Sequence, residues 1–353
     1  MRLRLEPWSP AYDTAAIDMA GVEDGKAQDL NLQAELERWQ PVQTTQGGLA
    51  ARRLFFIDGT RRTEAKLVGE WNEGSVVRHA PGLLGAYGVG VAEVDASRTP
   101  SACRVLRAAV FRSIIVGGGI TPEPLRIRGQ GSRLGDLHYL GESIADDTDR
   151  DGALERRLHN LMREAEHRIA TETVRPGELL VVDGPLGFQP LKNAVGYVKT
   201  LHNLMVPPFE QRILFALQRG QRTPVFLIGG RLDRYSWFLR LSDGVGWHQG
   251  LSGVVRLEVH ASNGFDFARA VADWSCLELP RFAAKGFRDP RAPQQLMPVA
   301  FLEAELGRRM GDGSIVRRRI QLHLRDLYAL EDQDDLGLEP PASELREAVS
   351  ELN

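Results

Sequence analysis

Cysteine is nearly absent. Cys103 and Cys276 are the only two in 353 residues, and neither belongs to a C-x-x-C pair, which excludes a disulfide framework and a zinc ribbon. Long apolar runs are missing as well. Nothing approaches the ~18 consecutive apolar residues of a membrane-spanning helix, and Met1 to Trp8 lacks the apolar stretch of a signal peptide. The expectation is a cytoplasmic protein with no membrane partner. Nor is there an excess of charge of one sign. The 44 Lys and Arg face 47 Asp and Glu, for a net charge of -3, so any nucleic-acid surface must be local. Nucleotide motifs are lacking too. Lys199-Thr200 is not preceded by the G-x-x-x-x-G spacing of a phosphate loop. Gly129 to Gly135 has the wrong glycine spacing for a dinucleotide fingerprint. Asp147 to Gly152 imitates the first half of a calcium loop, but Leu158 stands where that loop requires a bidentate Glu, so its acids read as complements of a helix N-terminus. His159 and His167 lie on a helical stretch without an H-E-x-x-H and read as ordinary helix residues.

What remains is globular composition, 42% hydrophobic and 26% charged, with material for a sizeable core. Residues 1–48 read as an appended polar arm carrying one amphipathic helix around Leu30 to Trp39 and a flexible linker at Gln43 to Gly48. The body spans 49–330, and 331–353 form an acidic tail. Leu54 to Ile57 is a short continuous apolar run that stops at Asp58-Gly59-Thr60, the pattern of a buried strand ending in a turn. Further strands are expected between Ala65 and Val116, including Gly88 to Val94 and Val105 to Val116. A long helix is expected over Asp151 to Thr173, where Leu154, Leu158, Leu161, Met162, Ala165 and Ile169 keep helical spacing until Pro176-Gly177. Leu179 to Val182 then repeats the first pattern, stopping at Asp183-Gly184. A helix at Pro208 to Arg219 follows, then strands at Pro224 to Ile228, Tyr235 to Leu241 and Gly253 to His260. Helices at Asp266 to Lys285, Leu296 to Met310 and Ser314 to Tyr328 complete the reading.

This order suits an α/β protein with an RNase H-like mixed sheet flanked by helices, an N-terminal arm and C-terminal helical elaborations. Three acids fall where that fold carries metal ligands: Asp58 after a strand, Glu164 on the helix and Asp183 after the next strand. Each alone has a plain reading. An Asp-Gly after a strand is commonly a turn, and a helical Glu is commonly a solvated residue, here at the spacing to pair with Arg168. Together, hard oxygen ligands of this kind suit Mn²⁺ or Mg²⁺, and two such ions about 4 Å apart can drive in-line displacement at a phosphodiester. Basic clusters at Arg104, Arg107 and Arg112, at Arg126, Arg128 and Arg133, and at Arg317-Arg318-Arg319 are candidate phosphate contacts, set against the plainer reading of solvated faces.

Phe56-Ile57-Asp58-Gly59-Thr60, Leu161 to Glu164, Val181 to Leu186, Gly196 to Thr200, Tyr235 to Arg240 and Val255 to Glu258 resemble the successive blocks of the NurA nuclease family, over roughly Leu54 to Asp312. The resemblance implies a DNA end-processing nuclease, a 5′-to-3′ exonuclease with single-strand endonuclease activity. It implies dependence on Mn²⁺, with Mg²⁺ as an alternative, a homodimer, and partnership with a HerA-type hexameric translocase. It gives Asp58, Glu164 and Asp183 as metal ligands, Lys199 as a basic group for a phosphate oxygen, and Tyr235 as the active-site tyrosine, with Trp237 on the same face of its strand. One departure stands out. The histidine that the family carries near its C-terminal helix falls at Val299 or Ala300, and Asp289 is a nearby substitute. The rival readings are an RNase H-like nuclease of another substrate class and a non-catalytic adaptor for a motor ATPase.

Overall fold

A computed structural model describes residues 29–45, 49, 53–95, 102–129, 134–146, 148, 152–173, 175, 177–187, 190–201, 204–230, 232–243 and 250–335. The first 28 residues, most of the Asp147 to Gly152 loop, Gln130 to Arg133 and the acidic tail beyond 335 lie outside the described residues. The class is α/β, with one large mixed sheet. The chain divides into two compact units: the first comprises Met1–Thr60, Gly88–Ala109 and Leu161–Leu306, the second Arg61–Tyr87, Val110–Asn160 and Gly307–Asn353.

The strands are β1 (Leu30–Asn31), β2 (Val42–Gln43), β3 (Arg53–Glu73), β4 (Val76–Asp95), β5 (Ala102–Val116), β6 (Leu125–Ile127), β7 (Leu137–Ser143), β8 (Leu179–Asp183), β9 (Ala194–Val198), β10 (Gln221–Arg222), β11 (Phe226–Ile228), β12 (Arg234–Arg240) and β13 (Val254–His260). The described helices of more than one turn are α1 (Ala153–Thr173), α2 (Pro208–Ala216), α3 (Phe265–Phe282), α4 (Met297–Met310) and α5 (Gly313–Asp335). None is long and apolar enough to cross a membrane.

In the first unit the strand order runs β1-β11-β12-β13-β9-β8-β3, with β8 parallel to both β3 and β9, and β12 and β13 antiparallel. Both faces are covered, which is why the central strands read as continuous apolar runs. On one face Phe56, Val181, Val195, Trp237 and Leu257 join Val271, Trp274 and Leu279 of α3 and Val299, Leu302 and Leu306 of α4. On the other, Phe226, Phe238 and Val254 join Leu214 of α2. The second unit contains the remaining lengths of β3, β4 and β5 with β6 and β7, and its core gathers Leu84, Tyr139, Val316 and Ile320.

Two expectations are corrected. Leu30 to Trp39 is not helical; β1 pairs with β11 and the chain then turns. Glu35 explains the difference, because its carboxylate takes both terminal nitrogens of buried Arg222 and the Val225 amide, a bidentate anchor that outweighs helical propensity. The described residues 29–45 are thus built into the sheet rather than appended to it. The strand at Leu54 also does not stop at Asp58, since β3 continues without a turn to Glu73. Gly59 serves close approach instead. A Cβ built there would lie 2.5 Å from Glu166 Oε1 and 2.8 Å from Met162 Cγ.

Candidate metal centre

The repeated Ile-Asp-Gly and Val-Asp-Gly segments turn out to be neighbours. The parallel register of β3 and β8 pairs Phe56 with Val181 and Ile57 with Val182, so Asp58 and Asp183 follow side by side and, at the same phase of the pleat, on the same face. Asp58 is only 6% exposed. Its Oδ2 and the Oδ1 of Asp183 are buried with no hydrogen-bond partner. Such orphaned oxygens are costly to bury. A third acid completes the group. Glu303 of α4 offers a carboxylate oxygen that lies with those of Asp58 and Asp183 within 4.8 Å of one another.

The surrounding residues hold these acids in place. Lys199, one residue beyond β9, sets its Nζ 2.6 Å from Asp183 Oδ2 and donates to Gln295 Oε1 at 2.5 Å. Gln295 donates in turn to Glu303 Oε2. Its amide joins a cation to an anion, a task that needs one acceptor and one donor in a single side chain. Arg291 grips both oxygens of Glu303 and also Asp289. Tyr197, paired with Asp183 in the β8–β9 register, is fully buried and donates its hydroxyl to the Gln294 carbonyl at 2.6 Å.

A fourth acid approaches from α1. Glu166 is buried, and the missing side chain of Gly59 leaves the space that its carboxylate fills. Arg163 donates to Glu166 Oε2 at 2.8 Å and to the Pro185 carbonyl at 2.6 Å, tying the helix to the segment after Asp183.

The electrostatics share one direction. Burial, then Asp183 and Glu303, push the Asp58 carboxyl well above the usual carboxylate range, against the pull of Lys199. Burial raises Asp183 too, and the facing ammonium of Lys199 does not offset it. Glu166 is raised by burial, with Arg163 opposing. For Lys199, burial acts downward but Asp183, Glu303 and Asp58 prevail, and its proton is held more tightly than usual. A salt bridge alone would lower the acid while raising the lysine. Instead both rise: burial dominates for the acids, and the neighbouring carboxylates dominate for the lysine. Asp289 goes the other way. Burial acts upward on it, but its hydrogen bonds from Arg291 prevail and hold it below the ordinary value.

Among the residues expected from sequence, Asp58, Asp183 and Lys199 are brought together. Glu164 is not: it is exposed, whereas Glu166, two residues on and on the buried face of the helix, is near enough for its charge to help raise Asp58. Tyr235 is also displaced from the centre. The row of paired residues from Asp183 runs through Tyr197 and Leu257 to Trp237, roughly 14 Å across three strand spacings, and Tyr235 lies two residues further along β12. It packs against Phe265. Val299 is a core residue and Asp289 is engaged by Arg291, whereas Glu303, one helical turn beyond Val299, supplies the acid from α4. Most of the basic clusters are occupied internally. Arg104 pairs with Glu93, Arg126 with Asp136, and Arg319 donates to three backbone carbonyls.

The chain matches no known family model and no curated protein. The three candidate ligands are all carboxylates, a donor type that suits hard divalent cations better than soft ones.

Proposed function

We propose that the chain is a metal-dependent DNA nuclease of the NurA type, with an RNase H-like arrangement of its acids, hydrolysing phosphodiester bonds at DNA ends. The observation that carries this reading is the pair Asp58 and Asp183, adjacent on parallel strands, each with a buried unpartnered oxygen and each bringing a carboxylate oxygen within 4.8 Å of one from Glu303. The DNA substrate, the 5′-to-3′ exonuclease and single-strand endonuclease activities, the homodimer and a HerA-type translocase as partner rest on the sequence resemblance.

Asp58, Asp183 and Glu303 would hold the Mn²⁺ or Mg²⁺ ion, with Arg291 and Gln295 fixing Glu303. When bound, the ion supplies Lewis acidity and neutralises charge developing on the phosphate. Lys199 is the cation best situated to hold a phosphate oxygen. Glu166, with its proton affinity raised by burial, receives the proton of the attacking water, and Arg163 keeps it oriented. No protein nucleophile is required. Glu303 offers an acid one helical turn from the position where the family histidine is absent. A net charge of -3 suits an enzyme to which a motor delivers DNA, since such an enzyme does not depend on long-range attraction.

The test is cleavage of labelled single- and double-stranded DNA and of RNA by the purified chain, with Mn²⁺, Mg²⁺ or EDTA, alone and with its translocase. Metal-dependent DNA cleavage lost in Asp58→Asn and Asp183→Asn is the expected result. Cleavage that survives in both variants, or absence of cleavage by the wild type with the motor present, would overturn the reading.

A further inference from the structure

Resting on the metal-dependent reading above, we propose that this centre takes one divalent cation and that the ammonium of Lys199 stands where a second would sit. The disposition of the carboxylate oxygens makes the case. Asp183 Oδ2 is held by Lys199 at 2.6 Å. Glu166 Oε2 is held by Arg163 at 2.8 Å. Both oxygens of Glu303 receive donors from Arg291, and one also receives Gln295. Among the carboxylates of the centre, the buried oxygens left without any partner are Asp58 Oδ2 and Asp183 Oδ1. Asp58, Asp183 and Glu303 each bring one carboxylate oxygen inside 4.8 Å of the others, a donor set for one ion.

A second ion about 4 Å from the first would need the outer oxygen of a shared carboxylate. Asp183 cannot supply one, because Lys199 already occupies its Oδ2. The lysine is itself locked, because its Nζ also donates to Gln295 Oε1, and expelling it would strand a buried ammonium or expose it at the cost of both contacts. Charge leads to the same count. Asp58, Asp183, Glu166, Glu303 and Asp289 face Lys199, Arg163 and Arg291. With every acid ionised, as ligation requires, the excess is two negative charges, the charge that one divalent ion balances. A second ion would leave the buried centre with a net positive charge of the same size, which burial penalises.

The measurement is a titration of the full-length, metal-stripped chain with Mn²⁺, following free Mn²⁺ by electron paramagnetic resonance and heat by calorimetry, in the absence of DNA. The expected stoichiometry is one ion per chain for the wild type. Lys199→Met frees Asp183 Oδ2 and the Gln295 carbonyl, and a second, weaker Mn²⁺ is expected. Lys199→Gln, with circular dichroism to establish folding, repeats the test with a polar side chain. Two ions of similar affinity in the wild type would overturn this proposal while leaving the metal-dependent reading intact. One ion in both folded lysine variants would overturn the role given to Lys199. No bound ion in the wild type would contradict both the proposal and the reading beneath it.

Discussion

Each of the two units buries acids under its sheet, and the two groups are treated in opposite ways. In the second unit Glu64 is closed off. Its Oε1 accepts from Arg62 at 2.8 Å, and its Oε2 accepts from the Tyr139 hydroxyl at 2.5 Å and from Arg112 at 3.2 Å. The same two arginines donate to the Met310 and Gly311 carbonyls at the end of α4, satisfying a helix C-terminus with cations. Burial, followed by the Glu64 charge, holds the Tyr139 proton on far beyond its ordinary range. In the first unit the acids outnumber their donors, and oxygens of Asp58 and Asp183 are left bare. A buried carboxylate with all its partners is architecture. One that lacks them is kept in place only because the surrounding fold supplies the energy that the group itself does not.

The comparison breaks most severely at its open end. Asp58→Asn and Asp183→Asn should each reduce metal-dependent cleavage by more than ~100-fold, beyond the loss expected when a merely supporting group is removed. Asp58→Asn should leave the metal-free fold as stable as before or more so, because a buried charge with no adequate partner disappears, whereas Asp183→Asn strips Lys199 of its counter-ion and should destabilise it. Parallel nuclease assays and urea unfolding of the stripped protein check both halves. The closed end should respond in the reverse sense. Glu64→Ala leaves Arg62 and Arg112 facing an empty pocket and should cost about 3–5 kcal/mol in urea unfolding, with Mn²⁺ binding by the folded fraction retained. Arg291→Met sharpens the contrast within the site, since Glu303 then loses its grip. A drop of roughly 10- to 100-fold in Mn²⁺ affinity is expected from loss of such an outer contact, read by the same titration.

Smaller effects separate the helix acids. Gly59→Ala drives a methyl into Glu166 and Met162 and should cost about 1–3 kcal/mol by overpacking, with impaired cleavage. Glu166→Gln should impair cleavage in the folded protein, whereas Glu164→Gln, at an exposed position, should change stability by no more than about 0.5 kcal/mol and cleavage not at all. Equal losses in the two glutamate variants would remove the basis for assigning the helix acid to Glu166.

The contrast between those two glutamates shows what the sequence makes legible. Strand and helix order follows from apolar periodicity, and the Asp58 and Asp183 echo is visible because two parallel buried strands place equivalent residues in one row. Glu166 carried a signal too. It follows Met162 by four residues and precedes Ile169 by three, inside the buried stripe of α1, while Glu164 points away from that stripe. Glu303 carries the same signal on α4, between Val299 and Leu306. A charged residue inside an apolar stripe is a better guide than its spacing to the next motif. Other features have no local signature. The network through Arg291, Gln295 and Lys199 joins residues about a hundred positions apart, and the strand at Leu30 arises from Glu35 meeting Arg222 across 187 residues. Tyr197 is obscured for a related reason, since only the β9 register shows that it, and not Tyr235, shares a row with Asp183.

The most direct test of the central claim, that the bare oxygens of Asp58 and Asp183 form a cation site, is the unfolding free energy of the stripped chain with and without Mn²⁺. A saturating ion at 100 times its dissociation constant should stabilise the wild type by about 2.7 kcal/mol and leave Asp58→Asn unchanged. Stabilisation of equal size in wild type and variant, or none in either, would contradict the account.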